Sequence, residues 1–317
     1  MARYVVRRVI QAVPLLFGIS IVAFVLLQLM PGGPTTIFFG QANVSAEDIA
    51  RIERELGLDQ PIFVQYVTWL GKFLQGDWGT SFVSRRPVFD MVAERVPATL
   101  LLMISAILVS VLISIPLGIL AAVKRETKVD HALTFFSFVG LSIPIFWLGL
   151  MLIIIFSVIF PILPGGGIGP PGEDPDLITR VRYLILPTVA LSLVSVGFFT
   201  RYLRASLIEV LRTDYMRFAR ARGVPPRSLY VKHGFRNAAI PYLTVVALHI
   251  PDLLIGALVV ETIFSWPGTG RLFWESAIRF DYAVLMGILV IGSVVVLLSN
   301  LAADVLYGVL DPRVRYD

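Results

Sequence analysis

Cysteine is absent from the 317 residues. That excludes disulfides, thiolate metal sites and cysteine nucleophiles, and leaves the redox compartment open. Charge is scarce. Only 15% of residues are Asp, Glu, Lys or Arg, against about 25% in an ordinary soluble chain. None occurs from Val9 to Ala46, Val96 to Val123, Ala132 to Gly172 or Tyr282 to Ala303. Apolar stretches of about 20 residues span a bilayer core, and the mean hydropathy is +0.81. A soluble globular enzyme and a disordered chain are both excluded. A phosphate-cradling G-x-x-x-x-G-K-[ST] loop is missing, because the one Gly-Lys pair, Gly71-Lys72, is followed by Phe73. The chain cannot hold ATP by that device. No H-E-x-x-H occurs, and the three histidines, His131, His233 and His249, lie far apart in sequence.

What is present reads as an all-α polytopic membrane protein. Six helical spans are expected, at Val9–Met30, Ala98–Val123, Leu133–Phe160, Tyr183–Leu203, Ala238–Val260 and Ala283–Tyr307. The 25 Gly and 20 Pro do not argue against them, since both are commoner in membrane helices than in soluble ones. The first run is too long for a signal peptide, and Met30-Pro31-Gly32-Gly33-Pro34 is no small-residue cleavage site. Residues 1–97 form a first unit, one span plus a large loop, and 98–317 a five-helix core. The region Arg201–Asn237 carries nine Lys/Arg against two acids, whereas 31–97 carries six against eight. Cytoplasmic loops hold the excess of Lys and Arg, so both termini and the 204–237 loop face the cytoplasm. The net charge of +5 therefore reports orientation, and no nucleic-acid partner is expected.

The outer loop is long enough to fold. Ser45-Ala46-Glu47-Asp48 looks like a helix start, and that helix ends near Leu56-Gly57. Gln65 to Leu74 reads as a second helix. Tyr66, Trp69, Leu70 and Phe73 share one face, which lies on the membrane surface or against the bundle.

Ionisable residues inside spans are rare and costly. Asp252 is one, and His249 lies three residues before it on the same helix face. The two can hydrogen-bond, and they are the candidate pathway residues. Asp304 lies near the inner end of the sixth span, with a structural or interfacial role. Ser142 and His249 offer a weak Ser–His pair for an intramembrane protease. Against that, a hydroxyl beside Pro144 can serve a backbone carbonyl that proline leaves unbonded. An ion-coupled secondary transporter is the other alternative. It would carry paired acids or bases in its spans, and Asp252 alone fits well.

The cytoplasmic loop is the most informative segment. Thr213 or Asp214 suits an N-cap and Gly223 a C′ position. A helix Asp214–Arg222 lies between them, and a second short helix is expected from Pro226 to Arg236. Tyr215, Phe218 and Ala219 offer a compact apolar face for a partner's groove. Arg217-Phe218-Ala219-Arg220-Ala221-Arg222-Gly223, with Pro241 18 residues after the glycine, resembles the EAA loop of ABC importer permeases. Arg217 and Phe218 stand where Glu and Ala would be. Other segments are similar to the B-type permeases of the dipeptide/oligopeptide (peptide/nickel) branch. They include Gly57-Leu58-Asp59-Gln60-Pro61, Gly76-Asp77-Trp78-Gly79-Thr80-Ser81, Glu261-Thr262-Ile263-Phe264-Ser265-Trp266-Pro267-Gly268-Thr269-Gly270 and Leu310-Asp311-Pro312-Arg313.

That resemblance implies a type I importer fold in a prokaryotic inner membrane. It implies a second permease, two ATPase subunits that bind ATP and Mg, and an extracytoplasmic solute-binding protein. The chain itself would carry no cofactor, metal or catalytic residue. The coupling residues would be Asp214, Tyr215, Arg217, Phe218, Ala219, Arg222 and Gly223. Glu261 to Gly270 would be part of an outer re-entrant or scoop-like feature, and the cargo would be a di- or oligopeptide.

Overall fold

The computed structural model describes residues 2–29, 57 and 59–310. The outer-loop helix expected near 45–57 and the Arg313 segment lie outside them. The described residues form helices, with one isolated bridge between Thr80 and Pro87. In chain order these are α1 (Ala2–Gln28), α2 (Ile62–Leu74), α3 (Val88–Val123), α4 (Lys128–Ser142) and α5 (Ile145–Ile153). A π-helical turn, Ile154–Ile159, extends α5. Then come α6 (Leu177–Leu211), α7 (Asp214–Ala221), α8 (Arg236–Leu248), α9 (Ile250–Ile263), α10 (Thr269–Ile278) and α11 (Tyr282–Leu310).

Among the described residues four helices are each long and apolar enough to cross a membrane, and two bent pairs, each taken as one span, bring the number to six. The spans depart from expectation in three ways. First, α3 starts at Val88, ten residues before Ala98. Absence of charge locates the hydrocarbon, whereas a helix runs on into water, so Glu94 and Arg95 sit on helical turns outside it. The 97/98 division therefore falls inside a helix. Second, Leu133–Phe160 is not one rod. It breaks at Ile143-Pro144 and bends by 96°. Ile143 is extended (φ −77°, ψ 123°), as the residue before proline prefers. Third, the fifth span bends by 46° at His249, where Pro251 lies in the first turn of α9. Prolines 14, 97, 116, 187 and 241 sit inside helices without ending them, as membrane helices tolerate.

The core lies between α3 and α6. Toward the outside, Leu102, Met103 and Ala106 of α3 pack on Leu186, Ala190 and Leu191 of α6, together with Leu253, Ala257 and Val260 of α9. Toward the inside, Phe199, Leu203 and Leu207 meet Ala122, Ala238 and Tyr242. Small residues let the backbones approach. Ser110 Oγ reaches the Ser192 carbonyl at 3.2 Å, and Ser114 Oγ meets the Tyr242 hydroxyl at 2.7 Å. The helix α2 packs on the bundle and not on the membrane surface alone. Tyr66 is buried with Ala23, Phe24 and Met286, with Trp69 and Leu70 beside it. Its hydroxyl bonds Ser20 Oγ at 2.8 Å, and Phe73 stacks on Trp78 at 4.7 Å.

Candidate functional site

The cytoplasmic knuckle is built on α7. Thr213 occupies its N-cap position and Arg222 its C-cap, and Gly223 takes φ +75°, the left-handed geometry that glycine adopts at low cost. The second short helix expected from Pro226 does not stand alone. It is a π-helical run, Ser228–Phe235, that continues directly into α8. The knuckle is therefore one free helix leaning on the root of the fifth span.

The apolar face is divided. Met216, which composition did not single out, is fully buried and anchors α7 to the bundle. Phe218 is 64% exposed and Tyr215 41%, and Ala219 is half-buried. The Tyr215 hydroxyl donates to the His233 carbonyl at 3.2 Å and accepts from Asn237 Nδ2 at 2.8 Å. Partial burial pushes the Tyr215 phenol above its usual value, and the Asn237 bond opposes this. It is thus a neutral phenol at physiological pH. Arg217 pairs with Asp214 along the helix, and the Arg222 guanidinium lies 5.5 Å from the Phe218 ring centroid. The result is an exposed aromatic rimmed by arginines.

Nearby, Arg204 makes two bonds of 2.6 Å to the buried Asp130. The Glu126 amide donates to the same carboxylate at 2.9 Å, so the 124–127 turn is pinned to the inner end of α6. Asp304 pairs with Arg8 at 3.1 Å, an interfacial contact between the first and last spans.

At the opposite end a second constellation forms around Glu261, which is 0% exposed. It accepts from Thr99 Oγ1 at 2.6 Å and from the backbone amides of Gly270 at 2.7 Å and Arg271 at 3.0 Å. Those amides open α10, where a carboxylate is stabilised by the helix dipole. A Cβ on Gly270 would lie 2.4 Å from Leu258 Cα, so only glycine fits. Trp266 Nε1 donates to the Ala98 carbonyl at 2.9 Å. Close by, the buried Asp281 accepts from Ser81 Oγ at 2.5 Å and the Phe82 amide at 3.2 Å. Glu261 lies one residue beyond the expected end of the fifth span at Val260, whereas α9 runs on to Ile263; counted inside that span, it is singled out by the same cost of an ionisable group as Asp252.

The pair His249–Asp252 does form, with Nδ1 to Oδ2 at 3.1 Å. Ser195, on α6, completes the array at 3.2 Å from His249 Nε2. Ser142 does not take part. It is exposed, and among the described residues its hydroxyl bonds neither His249 nor the carbonyl that Pro144 leaves free. The Ser195–His249–Asp252 order is that of a hydrolase with the burial reversed. Ser195 is 1% exposed and the Asp252 side chain 67%, whereas a nucleophile must face substrate while its acid is buried. The protease reading has no geometry to support it. Among the described residues no group of three His, Cys, Asp or Glu is placed to hold a metal.

Comparison with known proteins bears on the whole chain. Residues 114–316 match a family described as binding-protein-dependent transport system inner membrane component, and residues 1–103 match the N-terminal part of such a membrane component. The chain is 42% identical to the oligopeptide transport system permease protein AppB of Bacillus subtilis, over 100% of both chains. It is 36% identical to the dipeptide transport system permease protein DppB of Escherichia coli K12, over 100% of this chain and 99% of that one. Among solved structures it resembles a chain of the MetNI methionine ABC transporter, with a TM-score of 0.59 and 20% identity, over 70% of this chain and 97% of that one. That last likeness is one of fold alone.

Proposed function

The chain belongs to the binding-protein-dependent transport system inner membrane components, and from that premise we propose that it is the B-type permease of an ATP-driven importer of di- or oligopeptides. The observation that carries the substrate class is identity over the full length to permeases named for oligopeptide and dipeptide transport. A second permease lines the pathway with it. Two ATPase subunits, which bind ATP and Mg, dock below, and a solute-binding protein docks above. The chain itself hydrolyses nothing.

The knuckle is the coupling element of this reading. Phe218, Tyr215 and the arginines at 217 and 222 form the surface offered to an ATPase cleft, and Asp214, Ala219 and Gly223 shape it. Closure of the ATPase pair moves α7. Because Met216 is buried against the bundle and Tyr215 is bonded to the root of the fifth span, that movement passes to the spans as a rigid-body shift. The transporter then behaves as a two-state device, biased by contacts that differ between the states. Asp252 and His249 line the pathway.

The test is reconstitution in proteoliposomes with the neighbouring-gene ATPases, second permease and binding protein. ATP-dependent uptake of a labelled di- or oligopeptide is expected. Failure to co-purify with an ATPase, or uptake driven by an ion gradient without ATP, would refute the reading.

A further inference from the structure

Asp252 differs from the three buried acids among the described residues. Glu261, Asp130 and Asp281 are 0 to 2% exposed, and each accepts at least two hydrogen bonds, at least one of them from a donor 74 or more positions away. Those carboxylates are structural, with their charge used up inside the fold. The Asp252 side chain is 67% exposed. Its one partner among the described residues is His249 Nδ1, at Oδ2, which leaves Oδ1 open. No Lys or Arg pairs with it among the described residues. The chain around it carries no charge from Ala238 to Pro251 or from Leu253 to Val260, so this oxygen projects from the apolar part of a span. An ionised carboxylate is not left facing acyl chains. Its face is covered by water or by protein.

The groups behind it set its direction. An ionised carboxylate only accepts, so His249 donates from Nδ1, and a neutral imidazole then accepts at Nε2 from the Ser195 hydroxyl, 3.2 Å away. The imidazole is walled by Phe198, stacked at 5.3 Å, and by Phe199, edge-on at 5.3 Å. Serine, histidine and two phenylalanines therefore hold one oxygen of Asp252 and turn the other outward. The array sits at the 46° bend between α8 and α9, and in secondary transporters broken spans of this kind hold the cargo.

We infer that Asp252, oriented by His249 and Ser195, is a recognition site for an ammonium group, and that its ligand is the free α-ammonium of the peptide in transit. This rests on the peptide-import reading above. Every unblocked peptide carries that group whatever its side chains, so one carboxylate serves many sequences. The competing occupant is a basic side chain of the second permease.

The full reconstituted complex tests this with three variants. Asp252→Asn should lower uptake of a labelled unblocked peptide about tenfold, the scale of one lost hydrogen bond to a charged group. The complex should still co-purify with its second permease. Asp252→Glu should restore part of the rate. Asp252→Cys places the only thiol in this cysteine-free chain. A charged, water-soluble methanethiosulfonate should modify it above the wild-type background, and the peptide should slow that reaction. Unchanged uptake in Asp252→Asn overturns the inference. So does loss of the second permease on purification, which would assign the aspartate to an interface ion pair, and so does a thiol reached only by a lipophilic reagent. A wild-type complex that takes up no peptide fails at the earlier reading, and takes this one with it.

Discussion

The outer end of the bundle and the cytoplasmic helix α7 are held in opposite ways. At the outer end, bonds join residues 162 to 200 positions apart: Thr99 to Glu261, Ala98 to Trp266 and Ser81 to Asp281. All are buried in full or in part. At the cytoplasmic end, α7 is fastened by Met216 and by contacts within 22 positions, and its aromatic residues face outward. The buried carboxylates of the outer end, Glu261 and Asp281, are satisfied within the chain. The face of α7 is an incomplete surface, apolar at Phe218 and cationic around it. A segment that satisfies itself is rigid, and one that does not is available to a partner.

The sharpest way to break this contrast is at Glu261. Glu261→Ala removes the carboxylate that Thr99 Oγ1 bonds and leaves the partly buried amides of Gly270 and Arg271 without their acceptor, at about 1–3 kcal/mol for each amide. The folded protein recovered from membranes should fall steeply, and the melting temperature in detergent with it. Glu261→Gln, which keeps an acceptor oxygen, should lose less. Wild-type levels in the alanine variant would show that the outer knot is not a staple.

Met216→Ala comes next. It removes the one fully buried side chain of α7, at about 2–5 kcal/mol for a core methionine. Insertion should be normal, but the 212–224 loop should become a protease target in inside-out vesicles. Phe218→Asp, at an exposed site, should leave stability unchanged while abolishing transport and its stimulation of the ATPase. If Phe218→Asp transports normally, the knuckle is not the docking surface. Gly223→Val should weaken coupling without lowering membrane levels. A left-handed backbone costs a branched residue roughly 1–2 kcal/mol, and no atom lies within 4 Å of the added Cβ to raise that. Asn at 223 should be tolerated, since it visits that conformation readily. The smallest effect is expected from Asp304→Asn. Its pair with Arg8 is partly exposed, so the melting point should move by the equivalent of about 1 kcal/mol or less.

Much of this was legible before the fold was known. Charge-free stretches located six crossings because hydrocarbon excludes charge, whatever the neighbours do. Caps and a glycine delimited α7 because helix ends are local chemistry. The positive φ at Gly223 followed from the same local rule. The bend at Pro144 was less legible, since proline within a membrane helix ends it in some places and is absorbed in others. Here Pro97 and Pro187 are absorbed and Pro144 is not, and the sequence around them carries no mark of the difference.

What the sequence by itself determined, then, is what depends on a single residue's cost in lipid or on a single turn's geometry: spans, orientation, the knuckle and its glycine, and the proximity of His249 to Asp252 three residues apart. What only the tertiary structure decided is which side chains are spent inside the fold. Met216 and Phe218 are both apolar residues of one helix, yet packing buries the first and exposes the second. Glu261 and Asp252 are both acids of one bent span, yet the first meets Thr99 and the start of α10 while the second keeps an oxygen free. Those outcomes rest on partners far away in the chain, and the distance along a sequence says nothing of the distance across a bundle.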